Sequence, residues 1–233
     1  MSSQIDRVVT ELRGRILAGD IPAGHRVVEL QFAETLNVSR TPLRIALGEL
    51  EKEGRLERLP TRGFRVRSFS VSQIADAVDV RGNLEGMAAR LAAERGVTPE
   101  LMGQLKDCLV RGQQLIDDAL RGHQPIDAQQ WSEMNLRFHT LLVEASGNTV
   151  LSSALHFLSQ TPMAGAGALT LQGLIPALET VFIQRAQMDH VDCVQALEQK
   201  MGARAEAIMR EHAFRSRETK KALIARLPRN ALL

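Results

Sequence analysis

From residue 73 to the C-terminus no stretch alternates polar with apolar at every second position; apolar residues recur three and four apart, with Gly and Pro between the runs. A period of two lays side chains on the opposite faces of a strand, whereas a period near 3.6 gathers them on one side of a helix. This part of the chain is therefore read as an all-helical bundle. The periodicity predicts helices over 71–95, 99–122, 128–146, 149–159, 172–192 and 193–226, with Gly147-Asn148 as a stop and Gly202 inside the last helix or at a bend in it.

The first 67 residues have a different pattern. A helix over 4–19 carries Ile5, Val8, Val9, Leu12, Ile16 and Leu17 on one stripe, and a short helix over 29–37 turns Leu30, Ala33 and Leu36 inward. A third helix begins near Val38. Its Leu43, Ala46, Leu47 and Leu50 share one side, while Thr41, Arg44, Ile45 and Gly48 fall on the opposite arc with Arg40 at its edge. Ser39 stands where an N-cap hydroxyl would accept an orphan amide, and Pro42 costs no hydrogen bond in a first turn. Beyond Gly54, residues 55–59 and 64–67 alternate around Pro60-Thr61-Arg62-Gly63, which predicts a hairpin, and Arg26-Val27-Val28 is short enough to be a third strand beside it. Two helices at a tight turn followed by a hairpin make a winged helix-turn-helix. Charge agrees. Residues 40–67 hold 8 basic against 4 acidic side chains in a chain whose net charge is only +2, so the positive surplus sits where phosphate neutralisation would need it.

The run Ile16-Leu17-Ala18-Gly19, Pro22-Ala23-Gly24, Val38-Ser39-Arg40-Thr41-Pro42-Leu43-Arg44, Glu53-Gly54 and Thr61-Arg62-Gly63 resembles the winged helix of GntR-family bacterial transcription regulators. The resemblance implies a homodimer on double-stranded operator DNA, with Arg40, Thr41, Arg44 and Ile45 toward the DNA and Arg62 and Gly63 at the wing tip. The family usually has Glu where this chain has Ile45, whose apolar side chain suits a thymine methyl.

In the helical part, polar residues sit on apolar faces. Trp131, Met134, Asn135, Phe138, His139 and Leu142 share a stripe, His190 heads one continued by Val194, Leu197 and Met201, and His212 lies with Ala205, Ile208 and Met209. Each such buried group without a partner costs on the order of 1–3 kcal/mol, and a metal is an economical shared partner, because neutral imidazole is a good ligand for Zn, Ni, Cu or Fe. The ordinary alternative for any single His is a satisfied core residue. Asn135-Leu136-Arg137-Phe138-His139, Gly147-Asn148, His190 and His212 resemble the FadR C-terminal (FCD) ligand domain attached to many GntR regulators. Its metal-binding members use an Asp and three His, which by position are Asn135, His139, His190 and His212, with Asn in place of Asp. The resemblance implies a divalent transition metal, zinc or nickel foremost, and a small organic acid as effector. Arg81, on the stripe of Ile74, Val78, Leu84, Ala88 and Leu91, either pairs with Glu85 along its own helix or clamps a carboxylate of that effector.

The expected organisation is a mainly α chain: a winged helix-turn-helix over 1–67, a linker over 68–72 and a helical effector-binding and dimerisation domain over 73–233. Residues 145–178 contain no Asp, Glu, Lys or Arg, but Pro, Gly and Ser interrupt them too often for a membrane span. Within them 149–159 is expected to be the central helix, and 162–173 a mobile loop over a pocket or at a dimer contact; a plain buried hairpin is the alternative. Cys108 and Cys193 have no ligand spacing and read as buried free thiols, which fits a reducing cytoplasm. His25, His123 and His156 match nothing and read as structural or surface residues. The expected function is a DNA-binding regulator, a repressor in the first instance. Two alternatives remain: a metal-dependent hydrolase, for which no HExxH motif or evident general base is present, and a DNA-binding dimer whose helical domain binds neither metal nor ligand.

Overall fold

The computed structural model describes residues 4–18, 20–159, 165 and 176–224. Contacts divide the chain between Ser70 and Val71 into two compact units.

The first unit contains α1 (Gln4–Ala18), β1 (Arg26–Val27), α2 (Glu29–Thr35), α3 (Arg40–Lys52), β2 (Leu56–Arg58) and β3 (Phe64–Val66). The antiparallel sheet has the order β1-β3-β2, with Arg26 and Glu57 both opposite Arg65. Leu43, Ala46, Leu47 and Leu50 of α3 are wholly buried against Val8 and Leu12 of α1 and Leu56, Phe64 and Val66 of the wing. Two local expectations fail. Ser39 occupies the N-cap position, but its hydroxyl makes no capping hydrogen bond. Leu30 is 61% exposed, because two steps of three residues rotate a helix so that Leu30 and Leu36 end about 120° apart. Only Ala33 and Leu36 of the expected three face the core. An ion pair ties α1 to the end of α3: Arg13 Nη2 donates to Glu53 Oε1 at 2.5 Å, and Arg55 Nε to Glu53 Oε2 at 3.1 Å.

The second unit contains α4 (Val71–Arg95), α5 (Pro99–Gly122), α6 (Ala128–Ala145), α7 (Thr149–Leu158), α8 (Pro176–Glu198) and α9 (Gly202–Ile224). Helix α4 begins inside the stretch assigned to a linker. Side-chain caps fix three later starts: Thr98 accepts from Leu101 N, Asp127 from Gln130 N, and Asn148 from Val150 N and Leu151 N. Helix α6 runs through the core with Trp131, Phe138, Leu141 and Leu142 buried, surrounded by Leu105, Ile183, Cys193 and Met209. Both cysteines are free and buried. Helices α4 and α9 lie close enough that a Cβ on Gly82 would collide with Ala213, and one on Gly86 would stand 2.7 Å from Arg210 Cγ.

Two expectations about helices are corrected. Helix α8 runs unbroken through 192–193 and ends before Lys200, which adopts φ 55°, while Met201 N donates to Ala196 O at 2.8 Å. Gly202 therefore starts α9, and Met201 is exposed rather than part of the His190 stripe. Helix α7 is not central: Val150 and Phe157 are 76% and 70% exposed, and only Leu151 is buried. Absence of charge made it read as core, but after the Gly147 turn (φ 61°) it packs along one stripe against α4 and α6. The loop expected at 162–173 lies outside the described residues, Gly165 excepted.

The hydrogen bond from Arg13 holds the Glu53 carboxyl below its usual pKa, outweighing the opposite effect of burial. A folded-state pKa below the unperturbed value of about 4.3 means that the pair stabilises fully above about pH 5 and loses its contribution as pH falls through the folded value. Glu53→Gln is expected to lose less stability than wild type between pH 6 and pH 4 in urea titrations followed by circular dichroism, and an equal loss would show that the pair contributes nothing.

Candidate functional sites

On the first unit Arg40, Thr41, Arg44 and Ile45 are all exposed along one arc of α3. The wing tip turns through Arg62 (φ 90°) and Gly63 (φ 96°), with Leu59 N donating to Gly63 O at 3.0 Å. Gly63 suits this backbone because it lacks a Cβ, and Arg62 is held by Arg26, whose Nη2 donates to the Arg62 carbonyl at 3.0 Å. Arg40, Arg62 and Gly63 meet along a groove of about 480 Å³ that Arg26, Glu29 and Leu30 also line. Sequence reading missed Glu29. Its Oε2 lies 3.7 Å from both Arg40 Nη2 and Arg44 Nε, but an acidic residue in a first turn reads as an ordinary helix start.

In the second unit α6 contributes Asn135 and His139, α8 His190 and α9 His212, with exposures of 7%, 3%, 0% and 4%. Each His offers a ring nitrogen, and these lie within 4.8 Å of one another. His190 stacks on Phe138 at 4.0 Å between ring centres and lies parallel to Trp131 at 6.3 Å. Neither of its nitrogens, nor either nitrogen of His139, makes a hydrogen bond among the described residues. His139 and His212 each stand in front of a buried carboxylate: His139 Nδ1 is 3.1 Å from Glu85 Oε1, and His212 Nδ1 is 3.4 Å from Asp189 Oδ2. Burial, followed by the neighbouring His212 and His139, pushes the His190 pKa well below its usual value, so the ring stays neutral with a lone pair to offer. Burial works to raise Asp189, but His212, Arg215 and Arg185 hold it below its usual value. Glu85 behaves likewise: Arg81 and His139 outweigh burial and hold it at about 2. Three imidazoles gathered this closely, with His190 held neutral by burial, fit a borderline transition metal.

Arg81 is buried with its Nε 3.4 Å from Glu85 Oε2, as the pairing along the helix required. It also lines a cavity of about 230 Å³ with Glu85, His139, Thr140, Ser152, Leu155, His156 and Ser159. His156, set aside in the sequence, thus stands on the wall of a cavity that reaches His139. Lys220 of α9 is buried as well, and burial together with Arg81 pushes its ammonium pKa well down. Nothing in the sequence marked Asp189 or Lys220, since each is one charge among many on a long helix.

Residues 4–66 match the family described as bacterial regulatory proteins, gntR family, and residues 76–215 match the FCD domain. The chain belongs to the GntR family and carries an FCD domain. This GntR regulator is 32% identical over 137 residues to the Nta operon transcriptional regulator of Aminobacter aminovorans, covering 59% of this chain and 61% of that one. It is 40% identical over 94 residues to a probable D-xylose utilization operon transcriptional repressor of Paenarthrobacter nicotinovorans, 40% of each chain. The chain spans less than two thirds of the length of these curated relatives. The solved structure of E. coli McbR/YncC shares the fold with a TM-score of 0.67 at 23% identity, over 97% of this chain and 99% of that one. The matched families and these relatives are transcriptional regulators rather than enzymes, and none of them supports the hydrolase alternative. No helix among the described residues is long and apolar enough to cross a membrane.

Two unpartnered nitrogens on one buried ring cost on the order of 1–3 kcal/mol each, whereas a bound metal at 100 times its Kd adds about 2.7 kcal/mol. In EDTA, His190→Leu is expected to unfold at the same temperature as wild type or higher, and added zinc to raise the midpoint of wild type alone. Thermal melts in both buffers check this; a variant that is less stable in EDTA and gains as much from zinc would contradict it.

Proposed function

We propose that this GntR regulator is a homodimeric repressor acting in the cytoplasm on double-stranded operator DNA and responding to a small organic acid bound in its FCD domain. The observation that carries the DNA-binding half is the arc of Arg40, Thr41, Arg44 and Ile45 beside a groove shared with Arg62 and Gly63. A recognition helix of this kind enters the major groove, where Arg40 and Arg44 meet phosphates or guanine edges and Ile45 a thymine methyl, with Arg62 and Gly63 at the adjoining minor groove. Two copies on one operator place two such helices on half-sites. Repression is the sign named for the Paenarthrobacter relative.

Asn135, His139, His190 and His212 would hold a divalent transition metal, zinc or nickel. Such an ion supplies a positive centre for an anionic group. Arg81, on the cavity that also reaches His139, supports a carboxylate as that group, because a guanidinium matches its two oxygens. A cavity of about 230 Å³ falls below the 300–1,000 Å³ usual for drug-sized ligands, which favours a small metabolite. The acid regulates DNA binding only through a difference in its affinity for the DNA-bound and free arrangements of the dimer.

Binding sites selected from a random duplex library by the chain itself supply the probe for the DNA-binding half. Arg44→Ala is expected to weaken binding to the selected duplex at least about fivefold, the lower end of about 1–3 kcal/mol for a base-contacting side chain, while leaving fold and oligomeric state unchanged. Unchanged affinity and sequence preference would contradict this docking.

A further inference from the structure

None of the four side chains read as ligands, three imidazoles and an amide, is a carboxylate. A divalent ion among them would have no inner negative charge to set against its own. The nearest carboxylates stand one ring further out. Glu85 is 3% exposed and reaches His139 Nδ1 at 3.1 Å; Asp189 is 2% exposed and reaches His212 Nδ1 at 3.4 Å. They come from different helices, α4 and α8, and each backs a different imidazole. Among the described residues the buried charged side chains are these two, Arg81 and Lys220. Arg81 lies beside Glu85 at 3.4 Å. Asp189 is met by Arg215 at 2.9 Å and Arg185 at 3.1 Å, whose side chains are 33% and 44% exposed and therefore partly screened by water.

We propose that Glu85 and Asp189 are positioning residues of the metal centre, each holding a proton on Nδ1 so that Nε2 faces the ion, and together supplying the negative charge that Asn135 does not. A carboxylate behind a ligating imidazole fixes the tautomer and ring orientation and strengthens the ring as a donor. Among the described residues His190 has no such partner: neither of its nitrogens makes a hydrogen bond, and its ring is oriented by the stack on Phe138. Two imidazoles are thus set by charge and one by packing, which explains how an amide at position 135 is compatible with the site.

The inference rests on the reading of His139, His190 and His212 as ligands, and the test separates the two. Zinc affinity is measured on the full chain by competition with a chromophoric chelator, with circular dichroism and melting in EDTA as folding controls. Glu85→Gln and Asp189→Asn, each close to isosteric, are expected to weaken zinc binding about 10- to 100-fold. Asn135→Asp is expected to raise zinc affinity at least tenfold more in the Asp189→Asn background than in wild type, because it returns the negative charge that Asp189 no longer supplies; a purely structural role for Asp189 gives the same gain in both backgrounds. If Glu85→Gln fails to fold, leaving Arg81 buried without its counter-charge, Asp189→Asn with and without Asn135→Asp carries the test alone. Folded variants that bind zinc within threefold of wild type would overturn the proposal while leaving the ligand set intact. Equal zinc binding by wild type and His190→Leu would overturn the ligand set itself, and the proposal with it.

Discussion

Three imidazoles in one buried cluster each bring two nitrogens that need partners, and among the described residues neither nitrogen of His139 or His190 makes a hydrogen bond. A protein interior tolerates few such groups without partners. Here His139 and His212 each place one nitrogen near a carboxylate, and His190 places none. Much of the second unit is arranged around that demand. Helix α6 brings His139 to the centre, α8 and α9 each bring a ring nitrogen within 4.8 Å of one of its own, and α4 brings Glu85. The close approach of α4 to α9 at Gly82 and Gly86 keeps those two helices near enough for Glu85 and His212 to share one centre. A larger residue at Gly82 would have to move one helix away from the other.

Helical periodicity made much of this legible beforehand. Asn135 and His139 share a stripe with Trp131, Phe138 and Leu142, and a stripe of that kind faces a core whatever the rest of the chain does. The stripe of α3 was equally clear, and Leu43, Ala46, Leu47 and Leu50 are wholly buried. Spacing along one helix could not show what stands across from it. Asp189 lies one residue before His190, so the two side chains leave α8 about 100° apart, and it is His212 of α9 that gives the carboxylate its role. The same holds for Glu29, which is tied to Arg40 and Arg44 by packing between α2 and α3, and for His156 on the wall of the Arg81 cavity.

The errors have a common physical source. Helix α7 read as central because it carries no charge, yet a short apolar helix can bury one stripe and leave Val150 and Phe157 in water. Leu30 read as core because its spacing was three, whereas repeated steps of three drift round a helix. The break between α8 and α9 was placed too early because Gly202, which starts α9, was read as lying inside the last helix or at a bend in it. Lys200 makes the turn in a left-handed conformation, with Met201 N closing onto Ala196 O.

The central claim is that the second unit is built to hold one divalent metal. Elemental mass spectrometry of the full chain, purified without chelators or a nickel column, tests it most directly. The account predicts about one zinc or nickel per chain in wild type and none in His190→Ala. Wild-type protein that carries no metal and takes up none on addition of zinc or nickel, while folded, would contradict it.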